Sequence, residues 1–177
     1  MSDATQTDIQ IITRLPVERW REYRELRLRA LKTDPQAFGQ SWEEAVKHPE
    51  ERWRERLIDA AQGKSWLVFA ERDGELIGMS GAFQWPEDIE ANRAMIISVF
   101  VDESARGHGL GERLMQAVME ELRAAGLASA ILAVNPIQTA AVRLYEKMGF
   151  RVIGTEFNLM GTGKECEETV MERSLRS

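Results

Sequence analysis

Cysteine is almost missing from this chain: Cys166 stands alone in 177 residues. No disulfide can close within one copy, which fits a reducing compartment, and the expected location is cytoplasmic. Neither histidine is near it in sequence, so Cys166 reads as a small strand residue rather than a nucleophile. Histidine is nearly as scarce, with His48 and His108 far apart and no Cys or carboxylate cluster at ligand spacing, so no metal is expected. Long apolar runs are missing too. None approaches the ~20 residues of a membrane span, and the polar, acidic start Met-Ser-Asp-Ala-Thr-Gln-Thr-Asp is not a secretory signal, so a membrane is not an expected partner. Basic excess is absent: the net charge of −6 argues against nucleic acid, which needs a basic face, and mildly favours a cationic substrate. No repeat or low-complexity segment interrupts the chain. Its length suits one domain, residues 1–177, able to bury about 70% of its unfolded surface without a metal or disulfide.

What is present is a regular succession of strand and helix signals. Residues 7–13 alternate around Ile9 and Ile11 as a strand, and Pro16 opens a helix to about Lys32 that carries Trp20, Tyr23, Leu28 and Leu31. Asp34-Pro35 stops it. Ser41-Trp42-Glu43-Glu44 is a capping box for a short helix, and Pro49 with Glu50 and Glu51 starts another, with Trp53 and Leu57 one turn apart. Strands over 65–71 and 75–83 meet at Arg72-Asp73-Gly74, where Asp-Gly supplies the positive φ angles of a tight hairpin. A third strand, 93–101, follows a loop over 84–92. Leu110, Leu114, Val118 and Leu122 mark a helix ending at Gly126. A strand over 129–134 succeeds it, then a helix with Ile137, Ala141, Leu144, Tyr145 and Met148 on one face, closed by Gly149. Final strands over 150–159 and 165–173 turn at Gly161-Thr162-Gly163. The order is β-α-α-β-β-β-α-β-α-β-β.

The chemistry-bearing segment is Arg106-Gly107-His108-Gly109-Leu110-Gly111, set between the apolar strand and the long helix. Strand, glycine-rich turn and helix together aim free backbone N–H groups and a positive helix end at a phosphate. Glycine allows close approach and positive φ, and Arg106 adds a cationic fork. Two better-known phosphate motifs fail. A P-loop needs Lys and Ser/Thr after its last glycine, where this chain has Glu112-Arg113. A dinucleotide fingerprint needs Gly-x-Gly-x-x-Gly, and here the glycines fall at 107, 109 and 111 with no acidic residue closing a following strand. A plain connecting turn would not need three glycines and an arginine in six residues.

About thirty residues on, the chain reads Asn135-Pro136-Ile137-Gln138, and later Leu144-Tyr145-Glu146-Lys147-Met148-Gly149-Phe150. The two segments together resemble the GCN5-related N-acetyltransferase (GNAT) superfamily. Its Gln/Arg-x-x-Gly-x-Gly/Ala pattern is met by Arg106, Gly109 and Gly111, and its Leu-Tyr-Glu-Lys-x-Gly-Phe ending by Leu144 to Phe150. The resemblance is sharpest over residues 65–155. It implies an α/β fold with a mixed, mostly antiparallel central sheet flanked by helices, and the element order agrees.

By that resemblance the chain is an acyltransferase that uses acetyl-CoA as donor. The turn, through Arg106, Gly107, His108, Gly109, Leu110, Gly111 and Glu112, takes the pyrophosphate. The backbone edge of Val99-Phe100-Val101 pairs with the pantetheine amides, although their side chains read equally as plain core strand. Asn135 and Gln138 are amides that could hold the same arm. Asparagine is commoner at the Gln138 position, and Asn135 before Pro136 also suits a helix start. Acetyl transfer to an amine expels a thiolate, and the family's tyrosine position makes Tyr145 the candidate general acid; from spacing alone it reads as a half-buried aromatic on a helix face. Some relatives carry a base as a glutamate on the strand before the last helix, where this chain has Ala133. Glu87, Asp88 and Glu90 are then expected, as a group, to support a water-mediated base, or else to be a solvated acidic loop.

The expected reaction is transfer to a primary amine of a small molecule. Peptide or protein N-terminal acetylation and a noncatalytic acyl-CoA sensor are the alternatives, and a second copy of the chain is a candidate partner. Substrate identity is expected to lie in residues 38–42, 84–92 and 159–164, which carry no recognisable motif.

Overall fold

The tight hairpin at Asp73 and Gly74 is where the sheet is most plainly dictated by local chemistry. Both residues take positive φ, 51° and 80°, and join β2 (Trp66–Arg72) to β3 (Glu75–Phe83) in antiparallel register. The computed structural model describes residues 8–176. Around the hairpin, β1 (Ile9–Ile12), β4 (Arg93–Val101), β5 (Ser129–Val134), β6 (Arg151–Leu159) and β7 (Glu165–Ser174) complete a seven-stranded sheet in the order β1-β2-β3-β4-β5-β7-β6. The expected start of the first strand at Thr7 lies outside the described residues.

Six α-helices accompany it among the described residues: α1 (Trp20–Thr33), α2 (Trp42–Ala45), α3 (Glu50–Ala61), α4 (Pro86–Glu90), α5 (Leu110–Ala124) and α6 (Thr139–Lys147). Ser41 caps α2 by accepting from the Glu44 backbone N–H at 3.2 Å. The middle of the sheet is buried on both faces, while the edge strand β6 is largely exposed. On one, Leu110, Leu114, Val118 and Leu122 of α5 pack with Val68, Ala70 and Ile77. On the other, Tyr23 and Leu26 of α1 and Trp53 and Leu57 of α3 pack with Phe69, Met79 and Phe100. The alternation Val68, Phe69, Ala70 sends successive side chains to opposite cores, as strand geometry requires.

Two expectations about local structure need correcting. The loop over 84–92 contains the one-turn helix α4, which Pro86 starts and which Asp88 stabilises by accepting from the Trp85 N–H at 2.9 Å. The last helix begins at Thr139 rather than at Asn135, and Ile137 lies before it, 83% exposed, off the buried face assigned to it. The Asn135 side chain explains the late start: its Oδ1 accepts from the Ile137 N–H at 3.0 Å, making a turn that competes with helix.

Every neighbouring pair in the sheet is antiparallel except β4 and β5. These two pair in parallel only at Arg93↔Ser129, Ala94↔Ala130 and Met95↔Ile131. Beyond Met95 they part. Near that point the β3–β4 register slips as well: Gly81 faces Ile97 and Met79 faces Phe100, so Ser98 and Val99 together oppose Ser80. Ser98 takes φ 60°, the left-handed conformation of a bulge. A wedge therefore opens in the middle of the sheet.

Candidate active site

A cavity of about 1110 Å³ fills the wedge. Residues 96–101 of β4 form one wall and Leu132, Ala133 and Val134 of β5 the other. The expected edge Val99, Phe100 and Val101 thus lies in the lining, with no β5 partner on that side.

At one end lies the glycine turn. Gly109 is the N-cap of α5 at φ 75°, and no side chain caps the helix, so the first N–H groups of Leu110, Gly111 and Glu112 have no helical acceptor. Gly107 and Gly109 both hold positive φ with open space where a Cβ would stand. Of the expected turn residues, Arg106, Gly107, Gly109, Leu110, Gly111 and Glu112 line the cavity, and His108 does not. The Arg106 fork is engaged within the protein. Its Nε donates to the Val101 carbonyl at 2.9 Å and its Nη2 to Asp34 at 3.0 Å, tying the turn to the end of α1. Lys147 adds a cation that motif reading passed over; it pairs with Glu112 at 3.0 Å and lines the same end. Gln138 lines the cavity, whereas Asn135 does not and serves the turn described above.

Tyr145 stands in the lining, half-buried, its ring edge-on to Phe150 with centroids 6.1 Å apart. Burial pushes the phenol up to about 12. Part of the ring faces the open cavity, so water moderates this rise until a ligand excludes it.

The opposite end is assembled from distant segments: Arg27 of α1, Phe38, Gly39 and Gln40 after it, Phe83 and Trp85 before α4, and Asn158, Leu159, Met160 and Glu168 from β6 and β7. Portions of the three motif-free segments, 38–42, 84–92 and 159–164, do meet here. The Gly161 N–H donates to the Phe38 carbonyl at 3.1 Å, binding two of them together. The acidic loop behaves otherwise. Asp88 is buried, 1% exposed, and is held by Arg93 at 2.9 Å, while Glu87 and Glu90 are exposed and outside the lining. Glu168 is the carboxylate that sequence reading missed. The cavity's other carboxylates, Asp34 and Glu112, are ion-paired, whereas Glu168 only accepts a hydrogen bond from Asn158 Nδ2 at 2.8 Å. Nothing local distinguishes it within Glu165-Cys166-Glu167-Glu168.

Among the described residues no group of three or more His, Cys, Asp or Glu could hold a metal, and no helix is long and apolar enough to cross a membrane. Comparison with known proteins agrees with this architecture. An L-methionine sulfoximine/L-methionine sulfone acetyltransferase of Pseudomonas paraeruginosa is 30% identical over 125 residues, covering 64% of this chain and 72% of that protein. A mycothiol acetyltransferase of Thermomonospora curvata is 38% identical over 109 residues, 58% of this chain but only 35% of that longer protein. The fold matches a phosphinothricin acetyltransferase from Sinorhizobium meliloti, solved in complex with acetyl-CoA, with a TM-score of 0.75 at 17% identity, covering 94% of this chain and 88% of the other. Residues 20–150 match the family described as Acetyltransferase (GNAT) family, and the chain belongs to it.

Proposed function

We propose that this chain is an acetyl-CoA-dependent N-acetyltransferase that moves an acetyl group directly to a primary amine of a small molecule. The observation that carries the reading is the wedge between β4 and β5, with an uncapped helix N-terminus at one end and the Tyr145 hydroxyl in its lining. The residues fit the cofactor: free N–H groups and a helix dipole suit a pyrophosphate, and an unpaired strand edge suits an amide-bearing arm. The names of the curated relatives support a small-molecule acceptor. The lone Cys166, a free thiol, fits a reducing, cytoplasmic setting.

Acetyl-CoA supplies, when bound, an electrophilic acyl carbon joined to a good leaving sulfur. An acceptor arrives as an ammonium and must lose a proton before it can attack. Glu168, the unpaired carboxylate of the lining, takes that proton directly or through one water and passes it to solvent. The nitrogen–carbon bond then forms as the carbon–sulfur bond breaks. Tyr145 gives its proton to the sulfur, and the second proton lost by nitrogen restores the phenol through solvent. A phenol at about 12 is a weak acid for a thiolate of ~8.5 in water, yet burial lifts a thiol as it lifts a phenol, bringing the two closer. Tyr145 remains protonated throughout the physiological range and is lost as an acid only as pH rises toward about 12.

The test is release of free thiol from acetyl-CoA with a panel of small primary amines and short peptides. Release with a small amine, absent without it, is the expected result. An acetyl-CoA-dependent rise in melting temperature with no release for any amine would replace the reading by the acyl-CoA sensor.

A further inference from the structure

The acceptor end of the cavity holds a charge that the fold leaves unanswered. Arg27 projects from α1 and is only 8% exposed, yet among the described residues no carboxylate pairs with it. Its guanidinium offers five N–H donors. The protein provides acceptors for two: Ser98 Oγ on Nη1 at 2.8 Å, and Gln40 Oε1 on Nη2 at a long 3.5 Å. Nε is buried with no partner. The guanidinium also lies over the Phe38 ring, 4.7 Å from its centroid. Burial draws its pKa down to about 10, with Arg56 adding repulsion, so it remains a cation at neutral pH. A buried cation without a counter-charge is destabilising, and cores seldom keep one unpaired.

Its surroundings hold the fork in place. Gln40 Nε2 donates to His48 Nε2 at 2.9 Å, which requires a neutral histidine. Burial and the neighbouring Arg56 and Arg52 lower the His48 pKa, with Glu44 opposing them, which favours the neutral ring. The Gln40 carbonyl is thereby left for Arg27. Ser98, the other partner, is the left-handed residue of the β4 bulge where the wedge opens. Arg27 itself belongs to the lining of the cavity.

We propose that Arg27 is the receptor for a carboxylate on the acceptor, so that the substrate is an amine bearing a carboxylate close to its nitrogen, as in an α-amino acid. This rests on the transfer reading above for the role of the amine, but the carboxylate subsite stands on Arg27 itself. A carboxylate supplies the missing counter-charge and two acceptors in the planar geometry a guanidinium matches. Glu168, lining the same end with opposite charge, suits the ammonium. Arg27 and Glu168 together then read a zwitterion.

The test uses L-amino acids and the matching amino-acid amides, which keep the amine and side chain and lose the carboxylate charge. Two readouts are taken on wild type, Arg27→Met and Arg27→Lys: binding in the presence of coenzyme A, by calorimetry, and thiol release from acetyl-CoA. Wild type should prefer at least one acid over its amide by roughly 10-fold to 100-fold. Arg27→Met should erase that preference by weakening the acid alone, and Arg27→Lys should recover part of it. KM for acetyl-CoA should stay near wild type in both. If Arg27 merely positions Ser98, acid and amide weaken together, and that result overturns the proposal, as does a wild type indifferent to the carboxylate. Arg27-dependent binding of amino acids without thiol release would uphold the subsite and defeat the transfer reading. Thiol release that favours amides would do the reverse. Should Arg27→Met fail to fold, the acid-to-amide ratio of Arg27→Lys against wild type decides.

Discussion

The two ends of the cavity are made of different material. The glycine-turn end is backbone: an uncapped helix start and a strand edge, drawn from residues 99–112 in one stretch. The acceptor end is side chain, contributed by α1, the segment after it, the approach to α4, and β6 with β7. Backbone recognition is indifferent to most side chains but strict about φ and register, so it leaves a compact mark in sequence. Side-chain recognition is strict about chemistry and indifferent to where in the chain the groups originate. One end of a single cavity can therefore stay recognisable as family character while the other specialises.

The sharpest way to break the comparison is at Tyr145, the lining side chain proposed as the acid for the departing sulfur. Tyr145→Phe keeps the packing and removes the proton, and kcat should fall by roughly 10²–10⁴-fold with little change in cofactor affinity. Full activity would return Tyr145 to a packing role. Its descending limb at alkaline pH should lie near 12, following its raised pKa, and not at the ~10 of an exposed phenol.

Next comes Gly109, where the backbone itself is the proposed recognition element. Valine there must adopt φ 75°, which costs about 1–3 kcal/mol, or else move the helix start. Acetyl-CoA at 100 times its Kd should stabilise wild type by roughly 2.7 kcal/mol. Thermal denaturation of a folded Gly109→Val protein should show that stabilisation gone, and a retained shift would put the phosphate elsewhere.

Asp88 tests whether the acidic loop belongs to the acceptor end at all. It accepts from both the Trp85 N–H and Arg93, so Asp88→Asn should cost stability, roughly 2–3 kcal/mol given that Arg93 keeps some access to water. Activity of the surviving folded enzyme should change little. Smallest of all, Glu87→Gln with Glu90→Gln should leave kcat and KM within twofold of wild type. A collapse of kcat in that double variant would restore the loop as the source of the base in place of Glu168.

Much of this architecture can be read from short-range chemistry. Asp73-Gly74, Ser41 with Glu44, and the Leu110 to Leu122 stripe each announce themselves within one or two turns of chain; the hairpin and the stripe form as read, while of the expected capping box only the Ser41 half forms, accepting from the Glu44 N–H. The failures share a cause. Ile137 fits a helical period, but the Asn135 side chain captures its N–H and delays the helix. Asp88 looks solvated in sequence and is buried because Arg93, across a turn, comes to meet it. The Ser98 bulge has no sequence signature, since its left-handed φ is imposed by pairing with β3 and by Arg27 from another element. Arg27 and Glu168 look like surface charges on a helix and a strand. Only the assembled sheet turns them inward.

Gly161 shows how closely the acceptor mouth is joined. A methyl group at that position would overlap the Gln40 carbonyl oxygen and stand 2.7 Å from the Ser41 nitrogen, so two chain segments more than a hundred residues apart touch with no room for a side chain. They cannot be inherited, lengthened or transplanted separately. A designer who grafts residues 38–42 from a relative to change the substrate must bring the matching β6–β7 turn with them, or accept a mouth whose halves no longer meet.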